Sequence, residues 1–288
     1  MPAEKKKTTT RKSLPKPLKK APAKAAKLTR DEKYRLYLAS VQNTQADIKF
    51  INREYKAIYG KAPKSLREDF CGTGLMACDW VQQNDECTAY GIDLDMEPLA
   101  FGVVNHYDKL SEDEQSRMKY INGNVLSKYD FKADVTVAFN FSYYLFKKRT
   151  DLLKYFTSVR QHMKKDGAFF IDLFGGTEAR KELEESVKHK NHTYYWDCSK
   201  YNPLTAECLY YIHFKTHKDG VKHEKVYTYD WRMWDARELL DILEEAGFSK
   251  TQIYWEGVDK DGTGNGNFKK TLKAENCESW VTYICALP

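Results

Sequence analysis

A glycine-containing turn and a later carboxylate form the clearest chemical pattern in the sequence. Gly72, Gly74 and Ala77 give the spacing G-x-G-x-x-A where a predicted strand turns into a predicted helix. Asp93 lies 19 residues beyond Gly74, at the end of the next predicted strand. Glycines let the backbone approach a ligand closely, and a carboxylate after the second strand can hold both hydroxyls of a ribose. The pattern predicts a cofactor that contains adenosine, either a dinucleotide or S-adenosylmethionine.

The residues around the turn favour S-adenosylmethionine. Glu68 stands four residues before Gly72, at the end of the first strand. A carboxylate there repels a pyrophosphate but suits the ammonium group of a methionine moiety. Leu94 follows Asp93 and offers an apolar side chain that can cover an adenine face.

Further polar groups follow the third, fourth and fifth strands. Asn124, with Val125 beside it, comes after the third strand, and its side-chain amide can read the edge of an adenine. Asn140 and Tyr143 follow the fourth strand, and Asp172 ends the fifth. Because open α/β sheets bind ligands at the carboxyl ends of their strands, we expect Asn140, Tyr143 and Asp172 to hydrogen-bond around the acceptor.

Strands alternate with helices through this part of the chain, which predicts a Rossmann-like, doubly wound, mostly parallel α/β sheet. A helical region over 29–59 precedes it. The predicted strands are 65–70, 88–92, 119–121, 134–139 and 168–172, and the predicted helices are 75–82, 97–110 and 150–163.

The pattern changes after Lys190. Three aromatic-rich segments, at 193–198, 206–216 and 223–234, predict an antiparallel meander inserted into the α/β body over about 190–235. Its rings either pack against the sheet below or form a roof that stabilises a cationic centre of the substrate. After a helix over 236–246, two strands at 251–255 and 279–285 close the sheet as an antiparallel C-terminal hairpin across a glycine-rich connection.

Four motifs in this order resemble those of class I S-adenosylmethionine-dependent methyltransferases. They are Glu68–Gly74, Gly91–Asp95, Gly123–Val125 and Phe139–Ser142, and the resemblance runs from about Leu66 to the C-terminus. The meander and the closing hairpin resemble the branch of glycine N-methyltransferase and sugar-amine N,N-dimethyltransferases.

The resemblance implies a role for each motif. Glu68 would approach the methionine amino end, Asp93 would hold the ribose, and Asn140 would lie near the transferable methyl. The family usually has a glycine where Phe70 stands, so we expect the backbone there to adopt a conformation open to a bulky residue. The implied cofactor-binding residues are Glu68, Phe70, Cys71, Gly72, Gly74, Asp93, Leu94, Asn124, Val125 and Asn140.

Charge divides the chain into two parts. Of 47 basic and 41 acidic residues, 11 basic and one acidic lie within 1–30, which leaves 36 basic and 40 acidic residues in the remainder. Residues 1–28 are rich in Lys, Pro, Ala and Thr, and predict a disordered basic arm before a methyltransferase domain over 29–288. A weak contact of the arm with nucleic acid or another polyanion, and a solubilising tail without a partner, both remain open.

Other features limit the location and the metal chemistry. The seven cysteines lack C-x-x-C spacing, so we expect reduced thiols in the cytoplasm, with nuclear or nucleoid association through the arm also open. No run reaches the roughly 18 apolar residues of a membrane helix. We expect no metal site, because His213 and His217 share a predicted strand on which their side chains would not converge.

These observations predict methyl transfer from S-adenosylmethionine to an amine or hydroxyl of a small molecule. An NAD(P)-dependent oxidoreductase is one alternative, since Tyr143-x-x-x-Lys147 matches a dehydrogenase pair, although the upstream serine of that class is missing. A nucleic-acid-binding protein, or an RNA or protein methyltransferase that uses the basic arm, is another.

Overall fold

The computed structural model describes residues 27–260 and 262–288, so most of the predicted basic arm lies outside the described residues. The chain then forms two helices, α1 (Arg30–Val41) and α2 (Thr44–Tyr59), where the sequence predicts one helical region. The break falls at Asn43, whose side chain accepts a hydrogen bond from the Ala46 amide and caps α2.

A parallel sheet follows, as predicted. Its strands and helices are β1 (Ser65–Asp69), α3 (Leu75–Val81), β2 (Thr88–Asp93), α4 (Met96–Asn105), α5 (Glu112–Arg117), β3 (Met118–Asn122), β4 (Ala133–Ala138), α6 (Arg149–Gln161) and β5 (Met163–Gly175). These strands lie in the order β3-β2-β1-β4-β5 and pair in parallel. Every residue of β4 is buried, because helices cover both faces of the sheet.

A second sheet, sheet B, has four antiparallel strands rather than the three predicted. They are β6 (Leu183–Lys188), β7 (His192–Tyr201), β8 (Glu207–Thr216) and β9 (Lys222–Arg232), paired in chain order. The sequence analysis missed β6 because it is an edge strand whose residues are all exposed and mostly polar.

The chain returns to the first sheet through α7 (Ala236–Glu245), β10 (Lys250–Val258), β11 (Gly264–Lys270) and β12 (Trp280–Leu287). β12 lies between β5 and β10 and is antiparallel to both, which confirms the predicted antiparallel closure. β11 pairs with β10 inside the glycine-rich connection, where no strand was predicted. Within the described part of the chain, no helix combines the length and apolarity needed to cross a bilayer.

Candidate active site

The glycine turn and the predicted ribose carboxylate are in direct contact. β1 and β2 are adjacent in parallel register, so their carboxyl ends lie side by side. The Gly72 amide donates a hydrogen bond to Oδ2 of Asp93 at 2.8 Å, and the Asp95 amide donates to Oδ1 at 2.9 Å. Partial burial raises the pKa of the Asp93 carboxyl above its usual range.

Tyr120 and Gly102, which the sequence analysis did not single out, pack against this turn. Gly74 has a φ of +64°, and a Cβ atom there would overlap the ring of Tyr120. The Tyr120 hydroxyl donates to the Thr73 carbonyl at 2.7 Å. On α4, a Cβ at Gly102 would overlap the same carbonyl, so this helix packs directly against the turn.

The prediction for the backbone at Phe70 is wrong. Phe70 has a φ of +56°, in the left-handed region that favours glycine. Its ring packs edge-on against Tyr155 and Phe146, with centroid distances of 5.4 and 6.1 Å. These contacts offset the backbone strain, so the glycine-type conformation persists with a large side chain.

Glu68 is buried at the end of β1. Its Oε2 accepts a hydrogen bond from the Ala77 amide in α3 at 2.9 Å. Burial raises the pKa of the Glu68 carboxyl to about 8, and a cation beside it would favour the ionised form. The neighbouring Cys71 thiol is also buried, which raises its pKa.

The residues predicted to contact adenine differ in exposure. Leu94 is 69% exposed, and Asn124 is exposed with its Oδ1 accepting a hydrogen bond from the Leu126 amide. Val125 is buried in the core instead, and its carbonyl accepts a hydrogen bond from Arg67. The side chain of Val125 therefore offers almost no surface to a ligand.

Asn140 and Asp172 meet at the carboxyl ends of β4 and β5. Asn140 and Phe141 both have a positive φ, and their amides donate to the two carboxylate oxygens of Asp172 at 2.7 and 2.9 Å. Burial raises the pKa of the Asp172 carboxyl to about 7. Asp172 thus holds the strained turn that follows β4.

Two adjoining cavities open beside this turn. The larger, which we call the aromatic cavity, has a volume of about 420 Å³ and lies between the turn and sheet B. The smaller, the polar cavity, has a volume of about 330 Å³ and shares Val41, Asn140, Phe141, Tyr194 and Val281 with the first. Rings that line the aromatic cavity are Tyr37, Phe141, Phe174, Tyr194, Trp196, Tyr210, Tyr229 and Trp231. Gly72 and Asp93 line neither cavity.

The inner face of sheet B follows the alternation of its strands. Trp196 stacks on Tyr210 with a centroid distance of 4.7 Å, and Tyr210 packs edge-on against Phe174 of β5. The intervening Tyr195 turns to the opposite face, where Lys222 lies 4.1 Å from its ring. The rings therefore pack against the body and line a cavity at the same time.

Tyr143 does not reach either cavity. Its side chain is completely buried, and its hydroxyl donates to the Asp172 carbonyl at 2.8 Å. Direct contact with an acceptor is therefore excluded in this arrangement. Of the three predicted acceptor-positioning residues, Asn140 and Asp172 line the polar cavity.

The two N-terminal helices contribute cavity residues that the sequence analysis missed. Tyr37 of α1 lines the aromatic cavity, and Asp47 of α2 lines the polar cavity. Oδ1 of Asp47 accepts a hydrogen bond from the Tyr283 hydroxyl at 2.5 Å, and burial raises the pKa of this carboxyl to about 6. No local pattern could have found them, because their partners are distant in the chain.

Over residues 27–260 and 262–288, one group of side chains has the proximity of metal ligands. Glu184, Asp197 and His213 present ligand atoms within 4.8 Å of one another on the outer face of sheet B. The Lys225 amide donates to Nδ1 of His213 at 2.7 Å, so the ring proton lies on Nε2 and points to Asp197. That nitrogen therefore has no lone pair to offer to a metal.

Comparisons with known proteins identify the fold. No protein-family model matches the sequence, and a search of curated proteins finds no match. Among solved structures, an S-adenosylmethionine-dependent methyltransferase from Clostridium acetobutylicum is 17% identical, with a TM-score of 0.64 over 88% of this chain and 97% of that one. The S-adenosylmethionine-bound amino pentose methyltransferase CalS10 from Micromonospora echinaspora is 10% identical, with a TM-score of 0.61 over 88% and 96%.

A third structure, the sugar N-methyltransferase KedS8 from Streptoalloteichus, is 13% identical, with a TM-score of 0.58 over 96% of this chain and 99% of that one. The fold is that of S-adenosylmethionine-dependent methyltransferases, which confirms the predicted fold class.

Proposed function

We propose that this chain is a methyltransferase that uses S-adenosylmethionine to methylate an amine of a small molecule. The contact between the Gly72 amide and the Asp93 carboxylate supports the proposal most, because a carboxylate beside a glycine turn at the carboxyl edge of the sheet is suited to bind ribose hydroxyls. The solved structures of similar fold, which include an S-adenosylmethionine complex, support the choice of cofactor.

The residues around the turn fit this cofactor. Each oxygen of Asp93 accepts one backbone hydrogen bond and retains a lone pair for a ribose hydroxyl. Among the described residues, the buried Thr73 hydroxyl has no hydrogen-bond partner, so the turn keeps a polar group for a ligand. Glu68 would lie near the methionine ammonium, and exposed Leu94 would cover adenine.

The cofactor supplies a methyl group that its sulfonium already activates, so the protein has to orient the acceptor and exclude water. Asn140 lines both cavities and would position the acceptor nitrogen. An amine must lose its proton before it attacks, and the Asp172 carboxyl, with a pKa of about 7, suits a proton acceptor there. Aromatic walls stabilise a cationic nitrogen, and of the similar structures one is described as an amino pentose methyltransferase and another as a sugar N-methyltransferase.

The test is the affinity for S-adenosylmethionine, measured by titration calorimetry. Asp93→Ala should lower the affinity at least 100-fold, because both ribose hydroxyls lose their acceptor in a partly buried site. Asp85→Ala is the matched control, since Asp85 is exposed in the turn at the opposite end of β2. Unchanged affinity in Asp93→Ala, or binding of NAD(P) in place of S-adenosylmethionine, would refute the proposal.

A further inference from the structure

The two cavities have an excess of negative charge. Asp47 and Asp172 line the polar cavity, and no lysine or arginine among the described residues lines it. Glu178, Glu185 and Lys181 line the aromatic cavity. Four acidic side chains therefore face one basic side chain across the two cavities. A phosphate-bearing acceptor would be repelled there, whereas a cation would be attracted.

Asp47 and Asp172 differ in what their carboxylates already bind. Both oxygens of Asp172 accept backbone hydrogen bonds from the turn after β4. Oδ1 of Asp47 accepts the Tyr283 hydroxyl, and Oδ2 has no hydrogen-bond partner within the described ranges. Tyr283 of β12 pairs in register with Asp172 of β5, so Asp47 lies above the same point of the sheet. Asp47 is thus the carboxylate of the polar cavity that has one oxygen, Oδ2, without a hydrogen bond from the described part of the protein.

The apolar surface lies next to this carboxylate. The polar cavity joins the aromatic cavity through Asn140, Phe141 and Tyr194, which line both. Their combined size falls in the range of sites for small organic ligands. A molecule with an ammonium group in the polar cavity can therefore place an apolar portion among the rings of sheet B.

Building on the proposed function, we infer that the acceptor is a cationic amine that carries an apolar group and no phosphate, and that Asp47 is the specificity-determining residue that binds its ammonium group. Asp47 forms a charge-assisted hydrogen bond to the ammonium through Oδ2, while Tyr283 fixes the carboxylate through Oδ1. The rings of the aromatic cavity contact the apolar group and exclude water from the ion pair.

Three probes of one skeleton test this inference by calorimetry on the full chain. They are tyramine, 4-ethylphenol, which lacks the amine, and tyramine O-phosphate. Tyramine should bind at least tenfold more tightly than either of the others, because only it pairs with Asp47 without bringing a phosphate among carboxylates. Equal affinities for the three probes, or no binding of tyramine, would overturn the inference.

Variants of Asp47 test whether this residue discriminates between the three probes. Asp47→Asn should weaken tyramine binding at least tenfold, and Asp47→Glu, which keeps the charge, should stay within about threefold of the original chain. Asp241→Asn, an exposed carboxylate on α7, is the matched control. If thermal unfolding shows that Asp47→Asn is not folded, the affinities of Asp47→Glu and of the original chain for the three probes still test the inference. Tyramine affinity unchanged in a folded Asp47→Asn would refute the role of Asp47.

The affinity for S-adenosylmethionine, measured in parallel, separates the two proposals. Retained cofactor binding without discrimination among the probes refutes only the acceptor inference. Loss of cofactor binding in the unmodified chain refutes the proposed function instead.

Discussion

The candidate site has two sides that are built in different ways. On the proposed cofactor side, the groups are mainly backbone: the amide of Gly72, the turn through Gly74, and one carboxylate, Asp93, that the turn itself contacts. On the acceptor side, side chains from α1, α2, four strands of sheet B and β12 surround two cavities. A site made of backbone groups depends on where the chain has glycine. A site made of side chains depends on how elements that are distant in the sequence pack together.

This difference predicts that substitutions on the two sides have separate effects on ligand binding. Changes near the turn should alter stability and cofactor affinity together, because packing and binding use the same backbone. Changes on the inner face of sheet B should alter acceptor affinity and leave the affinity for S-adenosylmethionine unchanged.

The largest effect is expected at Gly102, where α4 contacts the turn. Gly102→Ala should destabilise the protein by about 3 kcal/mol, because the added Cβ would overlap the Thr73 carbonyl. This carbonyl belongs to the backbone, which cannot move aside as easily as a side chain. Helix propensity alone would make the alanine variant more stable by about 1 kcal/mol. The sign of the change in the free energy of unfolding therefore distinguishes the overlap from helix propensity. Denaturant unfolding measures the loss, with Val104→Ala, exposed on the same helix, as the control. A Gly102→Ala protein as stable as the original would remove the turn-packing argument.

The next effect is expected on the acceptor side. Trp196→Ala should weaken tyramine binding about tenfold, or about 1.4 kcal/mol, because the ring lines the aromatic cavity. The affinity for S-adenosylmethionine should not change. Tyr195→Ala is the matched control, since Tyr195 adjoins Trp196 but faces the opposite side of sheet B. Calorimetry with both ligands decides; a parallel loss of cofactor affinity would contradict the separation of the two sides.

The smallest effect concerns Phe70, which combines a backbone role with a packing role. Phe70→Gly and Phe70→Ala both remove the ring, but only glycine relieves the positive φ. We expect the glycine variant to be more stable than the alanine variant by about 1 kcal/mol, as measured by urea unfolding. The opposite order would show that the backbone at this position relaxes when the ring is removed.

The sequence predicted that the glycine turn and Asp93 meet, and it could do so because the signals are local. A strand, a turn that needs glycine and a carboxylate after the next strand all lie within residues 65–93, and parallel register brings them together. On the acceptor side, the sequence predicted an aromatic meander and three polar residues, of which Asn140 and Asp172 line the polar cavity, but it did not predict Asp47. Asp47 and Tyr283 are 236 positions apart, and their contact depends on the complete fold. The edge strand β6 was missed because its exposed polar residues have no apolar alternation.

The position of β12 has a consequence for synthesis of the chain. β12 is the last of the three strands β5, β10 and β12 to emerge from the ribosome, yet it lies between the other two. β10 and β11 therefore cannot join the sheet until β12 is made, and a long-range pairing of this kind forms slowly. Until then the β5 edge, with the apolar Phe169 and Ile171, is open to strand addition by other chains. Aggregation of nascent chains, and their protection by chaperones, should therefore centre on this edge.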